Sequence, residues 1–462
     1  MHWPAMKVDS TKLVIFLLIF SGFLKEFRPI LPFMNTYLTS SARNFTDDTL
    51  NHQVYPVWTY SYMALLLPVL LLSDNVHHFT FVISGTFGQL CTMLAMIYGT
   101  TVACLQLMEI AYGLTTACDI SSMSFLFFVV GDLKKFQKII SIMRAVTLLG
   151  MCISYVIGQL FLWFGLTDYT VHAYVSLTAS VATVLLVLFI CLLRKVWLQP
   201  RTMHRRTEND TKFSIHFLTV LFYRLKKCYH SIFVIKWSIF WAISTCGYLQ
   251  VVNYIQLLWS KLQDKNDNST IYNGITEAVN ALLGKQAISF RYLNFKCAGV
   301  AFAVQYVHLN WALIGDMYLF MISIVQAIFL ITLSQTLQMT IAYILYILYC
   351  LLYQTSITVC TYLIATHAPK RYHALAFGSN TFIALLLQTV LTLIVADSNG
   401  FALDISSQFN VYGILHGTVS VFYLISGIVI LAKHWPINWN AFLETDEELN
   451  DSKNANEAVT AA

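Results

Sequence analysis

Charge is what this sequence has least of. Only 11% of its 462 residues are Asp, Glu, Lys or Arg, against about 25% in an ordinary soluble domain. So few charges could not cover the surface of a water-soluble globule of this length. That excludes a cytosolic enzyme, a disordered chain and a nucleic-acid binder. Signature loops are missing as well. There is no phosphate-cradling Gly loop, no Walker pattern, no HExxH and no credible Ser-His-Asp set, which argues against an ATP-driven pump and a membrane enzyme. None of the ten cysteines has CxxC spacing. Most, such as Cys91, Cys104, Cys152 and Cys350, lie in apolar runs and read as small membrane-core residues. No disulfide framework, metal site or cofactor is implied.

What the chain does have is apolar length. Hydrophobic residues make up 57%, aromatics 15%, and the mean hydropathy is +0.64. This is the composition of a polytopic membrane protein, whose main partner is the lipid bilayer. A spanning helix needs about 20 mostly apolar residues. Such windows fall near 12–34, 55–73, 79–98, 102–130, 139–164 and 171–193, then near 232–259, 272–310, 313–333, 338–364, 373–397 and 409–432. The first run continues through Lys25, Glu26 and Arg28 without a small-residue cleavage site, so it reads as a retained span rather than a signal peptide. The expected organisation is an N-terminal six-helix half over 1–193, a basic central loop over 194–231, a C-terminal half over 232–432 and a polar, acidic tail over 433–462.

The positive charges orient this layout. The central loop holds Arg194, Lys195, Arg201, Arg205, Arg206, Lys212, Arg224, Lys226 and Lys227. Lys134, Lys135 and Lys138 sit in a second loop, and Lys370 and Arg371 in a third. Positive loops stay cytoplasmic, and with twelve spans all three fall on one side, together with both termini. The sequons at Asn44 and Asn268 then lie in outside loops, where glycosylation can reach, whereas Asn209 lies inside. Six plus six helices around a central cytoplasmic loop is the layout of major-facilitator transporters, whose halves rock about a midplane site. A receptor fits twelve spans with buried charges poorly.

Ionisable residues within the spans are the candidates for function, because each costs roughly 2.5–3.5 kcal/mol at a helix centre. The first span carries Lys25-Glu26-Phe27-Arg28-Pro29, for which structural ion pairing is an equal reading. The fourth carries Glu109, Tyr112, Thr116 and Asp119 at i, i+3, i+7 and i+10, one face of one helix. Facing lipid, that stripe would be untenable, so it should face the interior, as a substrate or coupling-ion site or as a structural network. Asn253 lies in the seventh span and Glu277 in the eighth. Trp58 opens the second span within Pro56-Val57-Trp58-Thr59-Tyr60-Ser61-Tyr62, either as part of an interfacial belt or as a stacking wall. Aromatics with carboxylates suit a flat cation.

The sequence resembles the reduced folate carrier and thiamine transporter family of solute carriers. The matching stretches are Arg28-Pro-Ile-Leu-Pro-Phe, the Pro56–Tyr62 segment, Gln106-Leu-Met-Glu-Ile-Ala-Tyr, Cys246-Gly-Tyr-Leu-Gln-Val-Val-Asn-Tyr, Ile271-Tyr-Asn-Gly-Ile-Thr-Glu-Ala and Ala374-Leu-Ala-Phe-Gly-Ser-Asn-Thr-Phe. They run in family order across nearly the whole chain. The resemblance implies an all-α major-facilitator fold of twelve spans and plasma-membrane uptake of a B vitamin, with a proton or an organic anion as coupling partner. Folate carriers of the vertebrate type place basic side chains at positions matching Asp119, Cys350 and Gln388. The thiamine type has acids matching Glu109, Asp119 and Glu277, aromatics matching Trp58 and Tyr112, and an amide matching Asn253. The resemblance therefore favours thiamine. Folate, another vitamin and a non-transporting, receptor-like member stay open. In the implied site Glu109 and Asn253 bond the aminopyrimidine and Trp58 and Tyr112 stack on the rings. Asp119 and Glu277 supply negative field or accept a proton. Arg28 and Asp74 have structural or gating roles. The family usually has an acid where Leu31 stands, so part of a cation site is absent there.

One segment departs from the family pattern. It reads well to Leu283-Gly284 and resumes at Gly299. Between them, Lys285–Ala298 brings Lys285, Arg291 and Lys296 into an apolar span. Gly284-Lys285 is compatible with a splice-donor codon pair and Cys297-Ala298-Gly299 with an acceptor. The segment is expected to be a retained intron in the gene model or a genuine looped insertion.

Overall fold

The computed structural model describes residues 8–73, 78–130, 133–166, 168–197, 223–229, 231–264, 271–284, 311–367 and 373–433. Asp74, Asn268, Asn209, the Lys285–Ala298 segment and the acidic tail lie outside them. Helix is the regular secondary structure found among the described residues. Among the described residues, twelve helices carry the fold: α1 (Val8–Glu26), α2 (Tyr55–Ser73), α3 (His78–Tyr98), α4 (Val102–Val130), α5 (Leu133–Trp163), α6 (Thr170–Trp197), α7 (Ile232–Asp264), α8 (Asn273–Gly284), α9 (Trp311–Gln335), α10 (Met339–His367), α11 (His373–Val395) and α12 (Ile405–Lys433). Among the described residues, eight of them (α3, α5, α6, α7, α9, α10, α11 and α12) are long and apolar enough to cross a membrane. The other expected spans fall on α1, α2, α4 and α8. The 12 residues of α8 reach only about 18 Å at 1.5 Å per residue.

Among the described residues, most packing falls within α1–α6 or within α7–α12, while α8 packs on α5 as well as on α10. In the first, α3 packs on α4 and α6, α2 on α4, and α1 on α5 and α6. In the second, α9 packs on α12 and α10, and α7 on α10, α11 and α12. Two pairs, α5 with α8 and α2 with α11, join the groups. Lipid explains which faces turn outward. Hydrocarbon offers no hydrogen bonds, so apolar side chains go out and polar ones go in. On α4, Leu107 is 60% and Ile110 44% exposed, while Glu109 on the other face is 4% exposed. Likewise α12 turns Ile414, Phe422 and Ile425 outward and buries Gln408, His416 and Ser420.

The first span differs from its expected form. The apolar window over 12–34 is not one helix. α1 stops at Glu26, and the chain continues through a short 3-10 turn, Leu31–Phe33, into a helix over Met34–Thr39. Pro29 and Pro32 are the reason, because each removes a backbone donor and disfavours helical geometry in the residue before it. Their positions put the break at Phe27-Arg28, beside the cavity described below.

Hydrogen bonds between the two groups of helices cluster at one end of the molecule. The π turn Leu50–Val54, which precedes α2, docks on the loop between α11 and α12. His52 Nδ1 lies 2.5 Å from the Ala396 carbonyl oxygen, and the Ser398 amide donates to the His52 carbonyl at 3.2 Å. Tyr60 donates to Asp397 Oδ2 at 2.6 Å, and Gln408 Nε2 to Asn51 Oδ1 at 3.0 Å. On the other side, Gln256 Nε2 donates to the Leu31 carbonyl at 2.8 Å, Ser260 to Asp47 Oδ2 at 2.8 Å, and Gln159 Nε2 to the Ile271 carbonyl at 2.6 Å. These bonds seal that end.

Candidate functional site

A cavity of about 380 Å³ lies between the two groups of helices. Its walls come from α1 and the break after it, and from α2, α3, α4, α5, α7, α8 and α10. Trp58, Glu109, Tyr112, Asp119, Asn253 and Glu277 all line it, as do Arg28 and Leu31. The structure thus brings together every described residue expected to touch substrate. Of the three positions that the resemblance pairs with basic side chains in folate carriers, Asp119 and Cys350 line the cavity. Gln388 is fully buried on α11 and bonds Thr59 of α2 at 3.4 Å. Asn44 is exposed in the loop between α1 and α2, at φ 57.

The α2–α4 contact builds the aromatic wall. Gly113 lets the helices touch, since a Cβ there would overlap Ser61 Oγ and stand 2.9 Å from the Tyr62 amide nitrogen. Ser61 Oγ donates across to the Glu109 carbonyl at 3.2 Å. With the helices this close, the Trp58 and Tyr112 rings stack, centroids 6.1 Å apart and planes 29° from parallel. Tyr62 continues the stack on Trp58 at 6.0 Å. Trp58 Nε1 donates to Thr116 Oγ1 at 3.4 Å, and Thr116 Oγ1 donates to the Tyr112 carbonyl at 2.7 Å. Across the cavity, Tyr248 of α7 stacks on Tyr353 of α10, centroids 3.9 Å apart.

Six charged side chains line the cavity: Glu26, Glu109, Asp119 and Glu277 against Lys25 and Arg28. Four acids less two bases leave a formal charge of −2. Four of the six are tied to one another. Lys25 pairs with Asp119, and Arg28 Nη2 donates to Glu26 Oε2 at 2.9 Å. The Arg28 guanidinium also lies 5.7 Å from the Tyr112 ring centroid, within cation–π reach. Glu277 accepts from the Tyr346 hydroxyl at 3.1 Å. Glu109 has no side-chain partner among the described residues, although it is 4% exposed. A buried carboxylate in that position is costly unless something else satisfies it.

Periodicity missed several cavity residues. Lys25 and Glu26 were ambiguous by sequence, and both face the cavity. Asn280 on α8 lines it with both amide atoms buried and without a partner. Its signal was weak but present, since it follows Glu277 by three residues and so shares its helix face. Tyr248 and Tyr346 carried no signal beyond the abundance of tyrosine.

The reduced folate carrier family model matches residues 9–212 and 194–411, nearly the whole described length. The chain belongs to the reduced folate carrier family. The carrier is 32% identical to mouse (Mus musculus) thiamine transporter 1 over 457 residues, which cover 89% of each chain. It is also 32% identical to folate transporter 1 of Caenorhabditis elegans over 408 residues, 85% of this chain and 86% of that one. In three dimensions the carrier resembles a POT family transporter in complex with 5-aminolevulinic acid. The TM-score is 0.62 at 13% identity, over 92% of this chain and 97% of that one. A bacterial homolog of the human lysosomal transporter Spinster, inward-facing and unoccupied, gives 0.58 at 10% identity over 93% and 99%. Together with the helix order, these place the carrier in the major-facilitator fold as a multi-pass membrane protein.

Proposed function

We propose that the carrier is a plasma-membrane vitamin uptake transporter that works by alternating access across twelve spans, with thiamine, an organic cation, as its favoured cargo. Relatives named for thiamine and for folate stand at the same 32% identity, so the site must decide. The observation that carries the reading is Glu109, a buried carboxylate without a side-chain partner among the described residues, beside a Trp58–Tyr112 stack in a cavity of net negative formal charge. An aminopyrimidine ring donates hydrogen bonds and stacks, and a thiazolium ring is a flat cation. Glu109 and Asn253 hydrogen-bond the first ring, Trp58 and Tyr112 stack on the rings, and Asp119 and Glu277 supply negative field. A dianionic folate would meet the same acids unfavourably, and Asp119 and Cys350 offer it no positive charge.

The sealed end carries the Asn44 loop, and the described helix ends that flank the basic segments, such as Val130, Ile232 and His367, lie at the other end. By the positive-inside rule the seal faces outward and the cavity opens toward the cytoplasm, with both termini inside. Uptake then requires the His52–Ala396 and Tyr60–Asp397 contacts to part. One observation favours folate as a second reading. Arg28 is 4% exposed, and its buried Nε and Nη1 atoms have no hydrogen-bond partner among the described residues, so a cargo carboxylate that drew the guanidinium into the cavity would satisfy them. Thermal-shift titration of the purified carrier separates the readings. Thiamine raises the melting temperature in a saturable way and folate does not. Stabilisation by folate alone removes the thiamine reading.

A further inference from the structure

Lys25 sits in the last turn of α1, just before the chain breaks toward Pro29. Its carbonyl accepts from Gln89 Nε2 of α3 at 2.7 Å, which anchors the backbone there. Its ammonium forms an ion pair with Asp119 of α4, inside the cavity that receives the cargo. The two partners differ in exposure. The Lys25 side chain is 14% exposed, whereas that of Asp119 is 43% exposed. The carboxylate faces the open volume, and the ammonium reaches it on a flexible four-carbon stem. Asp119 is therefore accessible to a second cation but is already neutralised by a tethered one.

We propose that Lys25 is a built-in counter-cation. In the empty carrier its ammonium occupies Asp119, and a cationic cargo must displace it to gain that carboxylate. Lys25 thereby sets both the affinity for the cargo and the charge the cargo must carry. A neutral cargo cannot compete for Asp119, so the tethered ammonium keeps the site closed to it. The displaced ammonium stays within the cavity and returns to Asp119 when the cargo leaves, so the empty carrier keeps that carboxylate paired. The proposal rests on the organic-cation reading given above.

The test is labelled-thiamine uptake kinetics in cells expressing wild type, Lys25→Met, Asp119→Asn, Lys25→Arg and the Lys25→Met/Asp119→Asn double variant. Lys25→Met removes the competitor and keeps most of the volume. Its KM should fall about 10-fold, as for any site whose competent form is otherwise a minor fraction. Asp119→Asn leaves the ammonium unpartnered in the cavity, and KM should rise about 10- to 100-fold, the loss of one charged contact. The double variant should lie between the two singles. Lys25→Arg retains the pair, and so the fold, but holds the carboxylate with two parallel bonds, so its KM should rise severalfold. A purely structural pair would shift both neutralising variants in the same direction, would lower membrane expression of each, and would leave Lys25→Arg at the wild-type KM. Any of those KM patterns overturns the proposal. Absence of saturable thiamine uptake by wild type removes the cargo reading and this proposal together. Uptake with shifts in one direction removes this proposal alone.

Discussion

Glu109→Gln isolates the carboxylate on which the cargo reading stands. The change removes one negative charge and keeps the side chain's size and most of its hydrogen-bonding capacity. Glu109 has no side-chain partner among the described residues and is 4% exposed, so the substitution breaks no internal ion pair. The folded carrier should be as stable as wild type, or more so, because a buried charge has been removed. Binding should suffer instead. A lost charge-assisted contact costs about 1.5–3 kcal/mol, which is about 10- to 150-fold in apparent affinity at roughly 1.4 kcal/mol per decade. The assay is initial-rate thiamine uptake against concentration, with surface biotinylation to normalise for protein. A steep rise in KM at unchanged surface level is expected. An unchanged KM would refute the reasoning, and loss of the protein from the membrane would show that Glu109 serves the fold.

Four further outcomes follow from the same geometry. Asp119→Arg sets a guanidinium beside Lys25 and reverses the local charge toward the basic side chain that the resemblance implies for folate carriers, so thiamine uptake should vanish and folate binding should rise; intact thiamine uptake would place Asp119 outside the site. Gly113→Val forces α2 and α4 apart at Ser61 and should cost about 1–3 kcal/mol as overpacking, read as a lower melting temperature with Ser61→Gly as partial rescue. Tyr60→Phe removes the 2.6 Å bond to Asp397 and should raise labelling of an Ala396→Cys variant, fully buried in the sealed state, by an impermeant maleimide about 10-fold; no change would mean that this contact does not hold the seal. Glycosidase digestion should shift the carrier's mobility through Asn44, and modification at Asn209 would invert the orientation.

The stripe on α4 was legible in the sequence because helical spacing is local: four polar residues at i, i+3, i+7 and i+10 have to share a face. The outward turn of Leu107 and Ile110 follows from the same arithmetic. Pairing across helices was not legible. Whether Lys25 meets Asp119, and whether Arg28 meets Glu26 or a cargo, depends on how α1 is rotated against α4 and where it breaks. Pro29 and Pro32 marked that break, but the apolar run around them masked it. Trp58, Asn253 and Glu277 stood out as aromatic or polar side chains within apolar spans, and the family resemblance added their roles. Asn280 and Tyr248 stayed hidden because an amide or a tyrosine in an apolar helix is ordinary until a cavity is seen beside it. The Lys285–Ala298 segment is a question for the transcript: a spliced message lacking those codons is expected if it is a retained intron, and a message containing them would make it a true insertion.

The central claim is that this cavity carries an organic cation. Labelled thiamine and labelled folate, offered side by side to proteoliposomes holding the purified carrier, test it most directly. Saturable thiamine accumulation, with folate at the level of empty liposomes, is the predicted result. Folate accumulation without thiamine, or accumulation of neither, would contradict it.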